Sequence, residues 1–261
     1  MKFKVSFAAT AILVSIITAI SGCAYHYVSS PQYVPLNDKK GELDANVSIN
    51  CLQIGYSITD YMCLFSTGSL NANIQMFKDG GKENSGHKSG KYTSYSIDVG
   101  ASIYKKSRLF NYELLAGLGA GKIKYTHEID LWDFDDYLSE MNASKINIFL
   151  QPDFGYKIKD IIEFGIFSKL IYEKYYNVQT STHIGSNSTI DPADKYFENR
   201  THANLIFAEP GLLIRAGFKK IKFYCEWSVP IQLTNADIRY KPFNMYLGAS
   251  FSTDLLKQEK N

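Results

Sequence analysis

The C-terminal stretch 222–254 carries a strict alternation of apolar and polar residues. Every second residue from Phe223 to Leu233 is apolar, and after a polar connection the alternation resumes from Phe243 to Phe251. A period of two over about ten residues predicts a β-strand with one apolar and one polar face. About 9–11 residues is also the length that a tilted strand needs to cross a bilayer. The stretch therefore predicts two long amphipathic strands.

Six further strands are predicted by the same alternation. Their apolar faces lie within 62–74, 93–103, 110–120, 146–156, 162–172 and 206–218. The predicted connections are short near 59–61, 105–108, 158–161 and 219–222, and longer at 78–91, 127–144, 178–202 and 234–241. Short periplasmic turns and long outer loops are typical of outer-membrane barrels. Lysine and arginine crowd the short turns, where they would attract anionic headgroups.

Residues 42–58 contain a change of face. The apolar residues are odd-numbered in 42–49 and even-numbered in 52–58. Such a change indicates either a β-bulge in one strand or a tight hairpin at Asn50-Cys51. Bacterial membrane barrels have an even number of strands, and the hairpin gives ten where the bulge gives nine. We therefore predict one all-β domain, a single antiparallel up-and-down barrel of ten strands.

Alternation alone does not show which face is outside. A soluble lipocalin-like barrel has an apolar cavity and a wet exterior. The predicted strands are long against the usual 5–6 residues of soluble proteins, and the polar face is rich in Gly, Ser and Asn. These features favour a transmembrane barrel. No run of about 20 apolar residues lies within 24–261, so the sequence predicts no helical membrane span there.

Residues 1–22 have the features of a signal peptide. Lys2 and Lys4 precede an apolar run at 5–20, which is short for a membrane span. The segment ends Ile20-Ser21-Gly22-Cys23, which resembles the lipobox of bacterial lipoproteins. That resemblance implies cleavage before Cys23 and lipidation of its thiol. Because Ala24 is not the aspartate that often retains such lipoproteins in the inner membrane, we expect delivery to the outer membrane.

Residues 24–41 have no period and contain Pro31 and Pro35, which predicts an extended tether. We therefore divide the chain into a signal peptide, a lipid-anchored tether, the barrel and a polar tail, at 1–22, 23–41, 42–254 and 255–261. The expected arrangement holds the N-terminus by its lipid on the periplasmic side of the outer membrane.

Three motifs carry a wider resemblance. They are residues 35–42 with Pro35-Leu36 and Lys39-Lys40-Gly41-Glu42, the turn Gly55-Tyr56-Ser57-Ile58-Thr59-Asp60, and residues 229–243 with Asn235-Ala236-Asp237-Ile238-Arg239-Tyr240-Lys241-Pro242-Phe243. In these motifs the chain resembles small outer-membrane β-barrel lipoproteins of Gram-negative bacteria, with OmpA- or OmpX-like barrels. The likeness spans most of 23–252. It implies the fold and the location, and no particular activity.

Ionisable residues occupy the predicted interior face. They are Asp44, Asp98, Glu113, Asp153, Glu163, Lys169, Glu173, Glu209, Arg215 and Glu226. We interpret them as paired charges that fill a narrow barrel; a cation path or a proton relay is the alternative. Setting Phe218 opposite Phe223 places Arg215 directly opposite Glu226, where opposite charges would stabilise each other.

Three cysteines remain after Cys23. We expect Cys225 to face lipid, Cys63 the lumen and Cys51 the outer hairpin. The 59–61 turn places Ser57 opposite Cys63, which leaves Cys51 about 20 Å away at ~3.4 Å per residue. A disulfide needs Cα atoms within roughly 7 Å, so we predict no bridge between Cys51 and Cys63.

The functional prediction is a non-enzymatic outer-membrane lipoprotein, either structural or presenting its loops to a protein or glycan partner. The candidate partner loops are 78–91, 127–144 and 178–202. A hydrolase that uses a loop histidine and carboxylates is one alternative, with His87, His127, His183 and His202 as candidates; a narrow solute channel is another. The acidic and aromatic loop 131–137 could hold Ca²⁺, although a solvated loop is the simpler interpretation. We expect no cofactor apart from the lipid on Cys23, and the net charge of +2 gives no reason to expect nucleic acid.

Overall fold

A computed structural model describes residues 27–36, 39–72, 88–107, 110–131, 134–158, 161–184, 204–218, 220–235, 238 and 240–254. Eleven β-strands run through these residues. They are β1 Glu42–Ser48, β2 Cys51–Ser57, β3 Met62–Ala72, β4 Lys88–Lys106, β5 Phe110–Leu131, β6 Phe134–Ile158, β7 Ile162–Ile184, β8 Leu205–Phe218, β9 Ile221–Ser228, β10 Ile231–Gln232 and β11 Asn244–Asp254. The described part of the chain contains no helix that is long and apolar enough to span a membrane.

The strands form one closed antiparallel sheet. Each strand from β1 to β9 pairs with the next in sequence, and β11 pairs with both β9 and β1, which closes the ring. The short β10 pairs with β8, as β9 does, and continues it beyond Val229 and Pro230. Proline has no N–H to donate to a strand ladder, which accounts for the interruption. Since β9 and β10 share one position in the wall, the predicted ten-stranded up-and-down barrel is confirmed.

Two local predictions are confirmed by the register. Ser48 pairs with Cys51 across the two residues Ile49 and Asn50, so the change of face is a hairpin, with its turn one residue before the predicted Asn50-Cys51. Ser57 pairs with Cys63, as the 59–61 turn predicts. Cys51 lies six pairs away from Cys63 along the same ladder, opposite Ser69. Cys51, Cys63 and Cys225 are all free thiols.

The two ends of the barrel differ in the height of their walls. At the short-turn end lie the hairpins that follow β2, β4, β6 and β8, together with the start of β1 and the end of β11. At the opposite, long-strand end, β4, β5, β6 and β7 rise far above the rest. These four strands, the tall wall, have 19, 22, 25 and 23 residues, whereas β1, β2 and β9 have 7, 7 and 8.

The expected loop 127–144 is wrong, because the tall wall occupies it. β5 continues to Leu131, β6 begins at Phe134, and these two residues pair. The ladder persists after the apolar outer face has ended, since backbone pairing does not require an apolar exterior. Of the other two expected partner loops, β4 and β7 take residues 88–91 and 178–184. Residues 78–87 and 185–202 lie outside the described part of the chain.

Candidate functional site: the barrel lumen and its N-terminal segment

Residues 27–36, here called the luminal segment, lie inside the barrel. Every one of the ten residues is buried, from Tyr27 at 1% exposure to Leu36 at 1%. The predicted tether is therefore corrected for these residues in one respect, because they lie buried in the lumen of the barrel and not outside it. The segment is uncharged and five of its residues are Tyr, Val or Leu. A composition of this kind favours burial over solvation, and it is the signal that the sequence interpretation missed.

The direction of the luminal segment follows from its contacts with β6. Leu36 packs against Gly155, near the short-turn end of that strand. The carbonyl of Tyr33 accepts a hydrogen bond from Gln151 Nε2 at 2.8 Å, and that of Val28 accepts one from Lys145 Nζ at 3.4 Å. The partners on β6 thus climb towards the long-strand end as the segment is followed back to Tyr27.

The barrel wall satisfies the backbone of the luminal segment with side-chain donors. Carbonyl groups of a segment that belongs to no sheet need such partners when they are buried. Barrel side chains from β2, β5, β6, β8 and β11 donate to seven of them, those of Val28, Ser29, Gln32, Tyr33, Val34, Pro35 and Leu36. The segment is therefore an integral part of the fold.

Three glycines of the wall make room for the side chains of the segment. A Cβ at Gly55 would overlap the phenol of Tyr33, and a Cβ at Gly155 would overlap Leu36. At Gly165 a Cβ would lie 3.2 Å from Val34 Cγ1, tighter than ordinary contact. The close approach of segment and wall requires glycine at the first two positions.

An ion pair at the centre of the lumen is bound to the segment. Lys169 Nζ lies 3.0 Å from Asp98 Oδ2, and both side chains are only 2% exposed. Ser30 Oγ donates to Asp98 at 2.6 Å, while Lys169 donates to Ser30 Oγ at 3.0 Å. The ammonium also lies 4.1 Å from the centre of the Phe149 ring. The segment hydroxyl thus completes a network that joins β4 to β7.

Glu209 is held by neutral donors from the luminal segment. Its carboxylate accepts hydrogen bonds from Tyr27 at 2.7 Å, Ser29 at 2.6 Å and the Gln32 amide at 2.6 Å. Among the described residues no cation lies within ion-pair distance of it. Glu226 resembles it, accepting from the backbone N–H of Gln32 at 2.9 Å. Both carboxylates therefore use the segment where an ion pair was expected.

The predicted pair of Arg215 and Glu226 is wrong. Phe218 pairs with Ile221 across a two-residue turn, which places Arg215 opposite Tyr224 and Glu226 opposite Leu213. The observed register, like the predicted one, keeps the apolar faces of β8 and β9 on the outside of the barrel, but the tighter turn shifts the pairing by two residues. Two-residue turns match the twist of the flanking strands and are the commonest hairpins.

Arg215 instead connects Glu163 with the luminal segment. Its Nη1 lies 3.4 Å from Glu163 Oε2, and the two residues pair across β7 and β8. The guanidinium also donates to the carbonyls of Val34 at 2.5 Å and Pro35 at 3.2 Å. Lys222 Nζ at 2.6 Å and Lys157 Nζ at 3.7 Å also contact the Glu163 carboxylate.

The remaining predicted lumen charges are also buried. Glu173 pairs with Lys145 at 2.9 Å. Glu113 and Asp153 lie directly opposite each other on β5 and β6. Ser102 donates to Glu113, and Gln151 Nε2 donates to both oxygens of Asp153 at 3.0 and 3.1 Å. Hydrogen-bonding partners thus replace cations around this carboxylate couple.

Apolar clusters fill the lumen between these polar groups, and the luminal segment belongs to each of them. Tyr27 and Val28 join a cluster at the long-strand end, which also contains Tyr92, Ile123, Tyr125, Met141, Ala143, Tyr175, Leu205, Phe207 and Ile238. Tyr33 stacks on Phe65 with ring centres 5.1 Å apart. Val34 and Leu36 join the third cluster, with Phe167 and Leu213.

The histidine and calcium hypotheses fall outside the described residues. His87 and His202 are not described, and the structure describes no side chain at His127, His183 or residues 131–137. Among the described residues no group of three or more His, Cys, Asp or Glu side chains is placed to hold a metal ion.

Lys241 lies in the connection between β10 and β11, and partial burial there lowers the pKa of its ammonium group.

Comparison with models of known protein families gives no match, and a search among curated proteins finds no significantly similar sequence.

Proposed function

We propose that the protein is a non-enzymatic outer-membrane lipoprotein. In this proposal the barrel spans the membrane, Cys23 carries the lipid and the luminal segment closes the lumen. The tall wall projects beyond the membrane and presents its outer face to a protein or glycan partner. The resemblance of Ile20-Ser21-Gly22-Cys23 to a lipobox supports the lipid anchor.

The proposal rests on one observation, an apolar band around the outside of a barrel whose buried charged side chains lie inside. On β5 the outward residues are apolar from Phe110 to Ala120, while the alternate residues face the lumen. Large exposed hydrophobic side chains continue the band on the neighbouring strands, among them Ile97 at 59%, Ile148 at 54% and Ile166 at 57%. Ten residues of a tilted strand rise roughly 25 Å, the height of the apolar band of outer-membrane barrels. Soluble monomers rarely expose a contiguous apolar surface of this size to water.

The band also supports an orientation of the barrel. Above Ala120 the outward residues of β5 become Lys122 and Lys124. On β7 the outward Lys174 pairs with Ile146, which itself pairs with Ala120. The tall wall continues for about ten residues past this boundary, and the described outward side chains there include the polar Asn142 and Gln179. Long projecting strands and loops are external in outer-membrane barrels, and short turns are periplasmic. The short-turn end is therefore assigned to the periplasm.

The channel hypothesis receives no support from the lumen. Ten residues of the chain itself and three apolar clusters occupy the path that ions would use. The interior charges are bound in ion pairs or by neutral donors, as at Lys169 and Glu209. A barrel whose lumen holds a segment of its own chain fits an anchoring or display role better than conduction.

The experiment that tests membrane insertion uses Trp227, which lies on the outer face of β9 opposite Leu212. In the Trp132→Phe background, Trp227 is the single tryptophan. After reconstitution into lipids brominated on their acyl chains, we expect its fluorescence to be quenched. The matched control is Trp132→Phe with Trp227→Phe and Tyr246→Trp, which moves the indole into the lumen and should escape quenching. An unquenched Trp227, or a protein that stays soluble without detergent, contradicts the proposal.

A further inference from the structure

The direction of the luminal segment decides where the lipid lies. We infer that Cys23 emerges at the long-strand end of the barrel, so that its lipid enters the outer leaflet of the membrane. The chain would then thread through its own barrel from the cell surface to the periplasm before β1 begins. This inference rests on the proposed function, and it replaces the expectation that the N-terminus is anchored on the periplasmic side.

The starting point is the position of Tyr27 at the long-strand end. Its ring stacks on Phe207 with centres 3.8 Å apart, and Lys145 Nζ lies 5.6 Å from the ring centre. Tyr27 also forms a parallel bridge with Tyr240, in the connection between β10 and β11. Lys145 lies next to Ile146, one of the last apolar residues of the outer band on β6. Tyr27 therefore sits level with the outer edge of the band.

The other end of the segment is fixed at the short-turn end. Asn111, the second residue of β5, donates to the carbonyl of Leu36 at 3.1 Å. The chain then meets two short-turn groups, since the N–H of Lys40 donates to Asp60 and that of Gly41 donates to the carbonyl of Ser57. The path from Tyr27 to Gly41 thus crosses the whole apolar band once.

The length of chain between Cys23 and Tyr27 excludes a return to the periplasm. Three residues lie between them, so four residue-to-residue steps join Cys23 to Tyr27. At ~3.3–3.6 Å per residue they reach at most about 14 Å, whatever their conformation. The band is roughly 25 Å high, and the lumen on the way back is already filled. Cys23 can therefore reach the outer leaflet but not the inner one.

From Tyr27, the chain would reach the lipid over the side of the barrel formed by β8 and β10. Tyr27 stacks on Phe207 near the start of β8 and forms a bridge with Tyr240, and among the described residues β8 begins at Leu205, close to the proposed membrane boundary. A reach of about 14 Å is enough to pass over this rim and place two acyl chains beside β8 and β10. Since the segment is enclosed on all sides, the barrel must close around a chain that is already lipidated. The lipid would then prevent the segment from sliding through the barrel towards the periplasm.

The test labels single cysteines on intact Gram-negative cells with a maleimide that does not cross the outer membrane. His26→Cys reports the end beside the lipid, and Tyr61→Cys, at a residue 63% exposed in a short turn, is the matched control. Both are made in a background with Cys51, Cys63 and Cys225 replaced by Ser. Recovery of a metabolically incorporated fatty acid on the N-terminal peptide checks that Cys23 is still lipidated.

We expect His26→Cys to be labelled on intact cells, and Tyr61→Cys to be labelled only after the outer membrane is permeabilised. Labelling of both positions only after permeabilisation, or of Tyr61→Cys alone on intact cells, overturns the inference but leaves a membrane barrel in place. Equal labelling of both positions with and without permeabilisation means that the barrel does not span the membrane. That result overturns the proposed function together with the inference.

Discussion

The outer face and the lumen of this barrel are built from the same strands, yet they obey different rules. Outside, exposed side chains such as Ile97 and Ile148 need only be apolar if the barrel lies in a membrane as proposed, because lipid chains adapt to any apolar shape. Inside, Gly55 is fitted to Tyr33, and Glu209 to three donors of the luminal segment. The outer face therefore requires only apolar side chains, whereas the lumen requires side chains of complementary shape and matched hydrogen-bonding groups. The same kind of substitution should therefore have different effects on the two faces.

The largest difference is expected between two lysines. Lys169→Met leaves the buried Asp98 without its cation, which costs about 3–5 kcal/mol of unfolding free energy. The control Lys124→Met removes an exposed ion pair with Glu140 at 3.7 Å, for which about 0–1 kcal/mol is expected. Urea unfolding in lipid vesicles measures both. Adding Asp98→Asn to Lys169→Met should recover part of the loss, and strictly additive losses would show that the central pair is not coupled.

A charge on the outer face tests the apolar band. Ile148→Arg places a guanidinium within the band and should cost about 2–4 kcal/mol in lipid. Asn142→Arg, on the outer face of the same strand but above the band, should cost about 0–1 kcal/mol. Equal costs at the two positions, from the same unfolding measurement, would remove the argument for a membrane boundary at Lys122 and Lys124.

Glycines distinguish the two faces by shape alone. Gly155→Val intrudes on Leu36 of the luminal segment and should destabilise the barrel by about 1–3 kcal/mol through overpacking. At Gly68, on the other face, a Cβ meets nothing closer than the Leu52 carbonyl at 4.0 Å, so Gly68→Val should be close to neutral. If Gly155→Val unfolds at the same urea concentration as the wild type, the fit of the segment is looser than described.

The smallest expected difference comes from exchanging isomers. Ile97→Leu keeps an apolar outer side chain and should change stability by less than about 0.5 kcal/mol. Leu213 is 2% exposed and belongs to the apolar cluster that contains Val34 and Leu36. Leu213→Ile should cost up to about 1.5 kcal/mol of unfolding free energy because this cluster must repack. Thermal unfolding in detergent is sufficient to compare them. A larger loss at Ile97 would reverse the contrast between the faces.

The same contrast explains what could be predicted from the sequence. Alternation is a local signal, so the strands followed from it. The choice of a hairpin over a bulge, and with it the count of ten strands, followed from the even strand number of bacterial barrels. The turn itself lies at Ile49-Asn50, one residue before the predicted Asn50-Cys51. The pairing of Arg215 did not follow, because more than one register of β8 against β9 keeps both apolar faces outside. The length of the turn decides between these registers, and alternation does not report it. The place of the luminal segment did not follow either, since its partners are scattered along the chain, from Gln53 at a separation of 21 positions to Tyr246 at 217. No periodic pattern reports contacts of that kind.

The central claim is that residues 27–36 occupy the lumen, and a photocrosslink from Tyr33 tests it most directly. p-Azidophenylalanine, which is close to tyrosine in size, replaces Tyr33 in the lipid-reconstituted protein, and the products of irradiation are mapped by mass spectrometry. Tyr33 packs over Gly55 and stacks on Phe65, so we predict crosslinks within the chain to β2 and β3. The same probe at Tyr61, which is 63% exposed, should give none to the lumen wall. If Tyr33 behaves like Tyr61, the segment lies outside the barrel and the account is wrong.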